Sequence, residues 1–170
     1  MNFLELSLKR FSARKFTDKP VSEEDLKYIL ESLQAAPSAV NRQPWKFVVV
    51  KSKEAKAKLC QCYAREWFET APMYIIAYKV ESEQWIRRYD GKPHGDIDVA
   101  IAVEHICLAA SDCELGSCWV CNYDPDKLAQ LFPQPEGTTA VAIIPIGHIA
   151  EDCPEPAKQR KDLSSIIETI

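Results

Sequence analysis

Residues 96–115 narrow the choice of fold more than any other stretch. Ile97, Val99, Ala100, Ile101, Ala102, Val103, Ile106, Cys107, Leu108, Ala109 and Ala110 cover nearly every face of the helix that this segment predicts. A surface helix keeps one face polar, so a helix apolar all round must be buried, centrally or against a second chain. Gly116 stands where a C-terminal cap is expected.

The other elements follow from local signals. Residues 138–147, Thr-Thr-Ala-Val-Ala-Ile-Ile-Pro-Ile-Gly, form a near-continuous apolar strand that belongs in the middle of a sheet covered on both faces. Further strands are predicted at 45–51, 73–78 and 117–121. A short helix is expected over 2–10. A second, over 22–36, is capped by Ser22 and buries Leu26, Ile29, Leu30 and Leu33 at helical spacing. Ser52 caps a helix running from about 53 to 68, and Asp124-Pro125 opens a short one. Residues 81–94 are polar and aromatic and read as a lid over a site. Helices and strands interleave without a repeat or linker, so residues 1–170 form one α+β domain, a sheet sandwiched by helices.

Composition removes several functional classes. A formal net charge of −4 argues against a general nucleic-acid binder. The N-terminus lacks the pattern of a signal peptide, and no apolar run reaches membrane-span length, so a cytoplasmic protein without a membrane partner is expected. The seven cysteines read as reduced, mostly buried thiols. Cys60/Cys62 is too closely spaced for a zinc knuckle, Cys118/Cys121 lies in an expected strand without the turn glycines and flanking polar residues of such sites, and His94, His105 and His148 show no ligand spacing, so no metal is expected. No glycine pattern makes a dinucleotide or Walker loop.

Chemistry concentrates in segments that belong to no regular element. In Ala36-Pro37-Ser38-Ala39-Val40-Asn41-Arg42-Gln43-Pro44-Trp45, two prolines pin the backbone between helix and strand. Ser38, Asn41 and Gln43 place a hydroxyl and two amides there, a lining suited to a planar ligand with ring donors and acceptors. Arg10-Phe11-Ser12-Ala13-Arg14 and Lys158-Gln159-Arg160 are basic segments near the two ends of the chain. Each alone reads as a solvated patch; together they could bring guanidinium forks and a hydroxyl to one phosphate.

These segments resemble the FMN-dependent nitroreductase family. Ala-Pro-Ser-x-x-Asn-x-Gln-Pro-Trp resembles its flavin-edge loop, which implies Pro37, Ser38, Asn41 and Gln43 at the cofactor. Arg10, Ser12 and Arg14 are similar to its N-terminal Arg-x-Ser-x-Arg/Lys signature, and Lys158 and Arg160 to the Lys-x-Arg element that closes over the phosphate. Residues 114–122 are similar to a turn and strand whose end offers a backbone amide to flavin N5, here Cys121 or Asn122. Many relatives carry Glu-Gly at that point and this chain does not. Gly147 joins the implied cofactor set.

The resemblance implies a three-layer α/β/α sandwich with a central mixed sheet and an intertwined homodimer with FMN at its interface. It further implies ping-pong hydride transfer from NADH or NADPH through N5 to a nitroaromatic, quinone or similar acceptor. No side chain is singled out as catalytic, since the flavin supplies the chemistry. Pairing through the long helix would place Ile101 and Val103 on the seam, with residues 162–167 packed across the partner. Two alternatives stay open: the same fold with a dedicated metabolite or protein electron donor, and a thiol or metal redox protein using Cys118 and Cys121.

Overall fold

Capping decides where most of the helices begin. In a computed structural model that describes Met1–Ile170, helix α1 (Phe3–Lys9) opens with a reciprocal capping box between Asn2 and Glu5. Ser22 caps α2 (Glu23–Gln34) by accepting from Asp25 N at 3.0 Å, and Leu26, Ile29 and Leu33 are its buried face. Strand β1 is Trp45–Val50, and Ser52 caps α3 (Lys53–Cys62). The single helix expected over about 53–68 is two. The chain leaves helical geometry at Tyr63 and resumes as α4 (Glu66–Glu69). Edge-to-face packing of Tyr63 on Trp67 and Phe68 replaces the missing turn.

Strand β2 (Met73–Val80) leads through residues 81–94 to the long helix α5 (Gly95–Asp112). Then come β3 (Gly116–Ser117), α6 (Pro125–Leu131) capped by Asp124, and β4 (Thr138–Gly147), the last with the bounds expected. Residues 81–94 form a small hairpin closed by an Ile86–Pro93 bridge and a left-handed Gly91.

The sheet order is β1-β2-β4-β3, with every neighbouring pair antiparallel. β4 is therefore interior, as its apolar run requires. The one parallel pairing is the bridge of Ser12 to Ser117, which is all the mixed character the sheet has. Alternation along β2 builds the three layers. Met73, Ile75 and Ala77 pack with α2 and α5 on one face, while Tyr74, Ile76 and Tyr78 pack with α3, α4 and α6 on the other.

Three further expectations are corrected. The strand expected over 117–121 keeps a regular ladder only at Gly116–Ser117, followed by a lone bridge of Val120 to Ile143. Cys118 N donates to Pro145 O at 3.3 Å, but proline has no N–H to return, so the ladder breaks there. Gly116 is not the cap of α5. Glu114 takes the left-handed position (φ 58°), with Leu115 N on Ala110 O at 2.8 Å. Gly116 is required for close approach, since a Cβ there would lie 2.7 Å from both Ala13 and Ile149. Finally, Val103 is fully buried in its own chain's core rather than on an outer seam. Of the apolar residues of α5, Ile97 is exposed, and Ile101 and Leu108 are half-buried.

Candidate active site

The extended segment after α1 runs beside β3. Ala13 N donates to Ser117 O at 3.0 Å, and the fully buried Ala13 packs where Gly116 lacks a side chain. Alternation then turns Ser12 and Arg14 the other way, towards a cleft of about 220 Å³ lined by Arg10, Phe11, Ser12 and Arg14 and by Pro156 to Arg160. Both ends of the chain thus meet at one place.

The cations of this cleft differ in what they do. The Lys158 ammonium donates to the carbonyls of Leu8 and Lys9, the latter at 3.1 Å, lies 3.4 Å from Glu155, and sits 5.9 Å from the Phe11 ring centroid. It closes the carbonyl end of α1, where a positive charge is favoured, and so clips the C-terminal segment in place. Arg10, Arg14 and Arg160 pair with no carboxylate. Arg160 donates only to Gln159 O at 3.3 Å, and Arg14 lies 6.0 Å from the Trp67 ring. Three guanidiniums without carboxylate partners thus line one cleft with a hydroxyl, in a chain of net charge −4, a donor set of the kind that pairs with anions.

Thiols underlie this cleft without being activated by it. Burial pushes Cys118 up; the Arg14 charge, a hydrogen bond from Ser12 and the Arg10 charge only partly offset it. Burial raises Cys107 to about 12. Cys121 and Asn122 are exposed where the chain leaves the Val120 bridge, and from Ser117 to Cys121 an extended chain reaches about 13 Å. All seven cysteines are free, and no group of three His, Cys, Asp or Glu side chains is placed to hold a metal ion.

The loop 37–44 is built differently. Val40, Asn41 and Gln43 all adopt left-handed backbone (φ 46°, 56° and 50°), at about 1–2 kcal/mol each for residues with a Cβ. Local bonds hold this strained turn. Ser38 Oγ accepts from Gln43 N at 2.8 Å, Ser38 O accepts from Asn41 N at 3.0 Å, and Gln43 Nε2 donates to Asn41 Oδ1 at 3.1 Å. Arg42 donates to Gln84 O at 3.3 Å, which joins the loop to the hairpin after β2. Asp98 in the first turn of α5 accepts from Ala39 N at 2.8 Å. Pro37, Asn41 and Gln43 are exposed and Ser38 half-buried. Asp98 went unnoticed in the sequence, where an acid near a helix start reads as a partner of the helix dipole.

The expected site residues therefore fall into two groups. Arg10, Ser12, Arg14, Lys158 and Arg160 meet beside β3, near Glu114 at the far end of α5, where Lys9 forms an ion pair with Glu114. Ser38, Asn41 and Gln43 sit at its beginning, beside Asp98. At 1.5 Å per residue, Asp98 and Glu114 are about 24 Å apart along the helix, so one chain does not join the two groups. Gly147 belongs to neither. It is buried opposite Gly116, where a Cβ would lie 2.4 Å from Pro72 Cδ and 3.3 Å from Phe16, so packing explains it.

Sheet, central helix and two-ended cationic cleft define an α+β protein with basic residues from both ends of the chain gathered at one place. The sequence profile of the Nitroreductase family matches residues 8–64 and 60–148, and the chain belongs to that family. The fold is similar to that of a nitroreductase family protein from Clostridium difficile 630, with a TM-score of 0.90 and 33% identity, covering 99% of this chain and 98% of that one. It is also similar to an FMN-dependent nitroreductase from Clostridium difficile R20291, with a TM-score of 0.75 and 26% identity over 96% of this chain and 94% of that one. An NAD(P)H FMN reductase of Bacillus subtilis strain 168 is 26% identical over 159 residues, covering 82% of this chain and 63% of that protein.

Proposed function

We propose that this protein is an FMN-dependent oxidoreductase that uses NADH or NADPH to reduce small organic acceptors such as nitroaromatics or quinones. The observation that carries the reading is the set of three unpaired guanidiniums around Ser12, drawn from both ends of the chain. In this reading Arg10, Arg14 and Arg160 bind the FMN phosphate with Ser12, and Lys158 keeps the closing segment in register. The backbone at the exposed Cys121 and Asn122 would offer an amide to the flavin ring. Bound FMN supplies the hydride chemistry that no side chain here provides. The FMN reductase and FMN-dependent nitroreductase among the relatives support the cofactor and the nicotinamide donor.

The working unit in this reading is a homodimer with FMN at its interface. Phe3, Leu4 and Leu8 on α1, Ile97 on α5, and Ile166 and Ile167 near the C-terminus are exposed in the single chain. Soluble monomers rarely leave so much apolar surface open. Two-fold pairing through α5 would reverse the helix in the partner and bring one chain's loop towards the other's cleft, which the 24 Å separation (approximately) within one chain denies. The hairpin over 81–94, tied to the loop by Arg42, then borders the acceptor site. No helix is long and apolar enough to cross a membrane, and seven free thiols suit the reducing cytoplasm in which we place the protein.

The absorption spectrum of the purified protein tests the reading, followed by chromatography of the heat-released flavin. FMN should be the main species, and NADH or NADPH should bleach it without oxygen. A colourless protein that takes up no added FMN would overturn the proposal. Bound FMN that neither nicotinamide bleaches would move the electron donor to a metabolite or a protein.

A further inference from the structure

Asp98 is 2% exposed, on a helix whose neighbouring buried positions, Val99 and Ala102, are apolar. A carboxylate in such a place is costly unless its bonds repay the lost hydration. Favourable placement at the start of α5 does not require burial, because Asp96, in the same turn, keeps its side chain 70% exposed. Asp98 forms no ion pair, and its Oδ2 is buried without a partner. Its one hydrogen bond is the 2.8 Å contact from Ala39 N. Packing alone would be served as well or better by an apolar side chain, so the reason for an acid lies in the loop that it touches.

That loop needs holding at this point. Ser38 satisfies the amides of Asn41 and Gln43, but the amide of Ala39, at the entry to the turn, is bonded to Asp98. The next residue, Val40, is β-branched and sits at φ 46°, a conformation such side chains rarely adopt. A free chain would relax at Val40. We propose that Asp98 is a positioning residue: its buried carboxylate holds the Ala39 amide and so preserves the left-handed turn that presents Asn41 and Gln43 to the flavin. The inference rests on the flavin reading of that loop. The ligand is the cofactor bound by the partner's cleft, so the carboxylate acts on FMN through backbone alone and across the dimer.

The test compares D98A with D98N, whose amide oxygen can still accept from Ala39 N. D98L, close in volume and apolar, replaces D98A if the alanine variant does not fold. Two readouts are taken: hydrogen exchange of the amides at 39–43, and the FMN dissociation constant from flavin fluorescence on dilution of the loaded protein. D98A should exchange at least about tenfold faster in this loop, with the amides of β2 and β4 unchanged. It should also bind FMN about tenfold more weakly, equivalent to about 1.4 kcal/mol. D98N should stay within about threefold of the parent in both. Loop exchange unchanged in D98A, or D98N as loose as D98A, would overturn the inference. A faster loop with unchanged FMN affinity would overturn its cofactor half. A parent protein that binds no FMN would instead defeat the functional reading, while loop exchange would still decide whether Asp98 holds the turn.

Discussion

Replacing Ile97 by aspartate tests the shared-site dimer directly. Ile97 is 46% exposed on α5, so a change there leaves the chain's own core intact. Fully burying an isoleucine is worth about 1.5–3 kcal/mol, so covering the exposed half contributes about 1 kcal/mol per copy and about 2 kcal/mol across a two-fold seam. Placing two carboxylates in that seam adds a desolvation cost of at least similar size. The sum, about 4 kcal/mol, weakens the dimer roughly a thousandfold. Light scattering should then show a monomer at low micromolar concentration, with circular dichroism unchanged and FMN lost in parallel, because the proposed site takes its loop and cleft from different chains. I101D should weaken the dimer as well but also lower the stability of the single chain, since Ile101 is half-buried against the core. V103D should instead unfold the chain, since Val103 lies in the core. A parent protein that is a stable yellow monomer, or an I97D monomer that keeps its flavin, would refute the argument.

R10A and R160A should each weaken FMN binding about ten- to a hundredfold by fluorescence titration, the worth of a charge-assisted hydrogen bond, with the melting temperature of the flavin-free protein unchanged. K158A should differ by loosening the C-terminal segment itself, seen as faster proteolysis there, because its ammonium is spent on the Leu8 and Lys9 carbonyls. C118S/C121S should keep NAD(P)H-dependent turnover; its complete loss in a folded, flavin-loaded double variant would restore a thiol mechanism. Stability should fall at alkaline pH. Burial raises Cys107 and Tyr123 to about 12, so above about pH 9 the unfolded chain releases thiol protons that the folded one keeps, joined by tyrosine protons about one pH unit higher. Fully buried Cys107 then costs about 1.4 kcal/mol per pH unit and half-exposed Tyr123 less, being partly screened by solvent, and chemical unfolding of the flavin-free protein from about pH 7 to about pH 10.5 should show a plateau followed by this decline.

Signals carried by adjacent residues were legible without a structure. Ser22, Ser52 and Asp124-Pro125 announce helix starts because a cap bonds amides two or three residues away, and the apolar run of β4 marks an interior strand. The basic segments at the two ends, and the doubly proline-pinned loop, also stood out, because side-chain chemistry is written in the sequence. Tertiary structure alone decided the rest, each time through atoms distant in the chain. Aromatic packing broke the helix at Tyr63. A proline on β4 cut short the ladder of β3. The close approach of Ala13, Ile149, Pro72 and Phe16 explained Gly116 and Gly147 as packing positions, while Glu114 took the left-handed cap. Asp98 reads as one more acid at a helix start until the fold buries it against Ala39, 59 residues away in sequence. Local bonding rules act over one turn of chain, whereas burial and the meeting of two termini depend on where every other element lies.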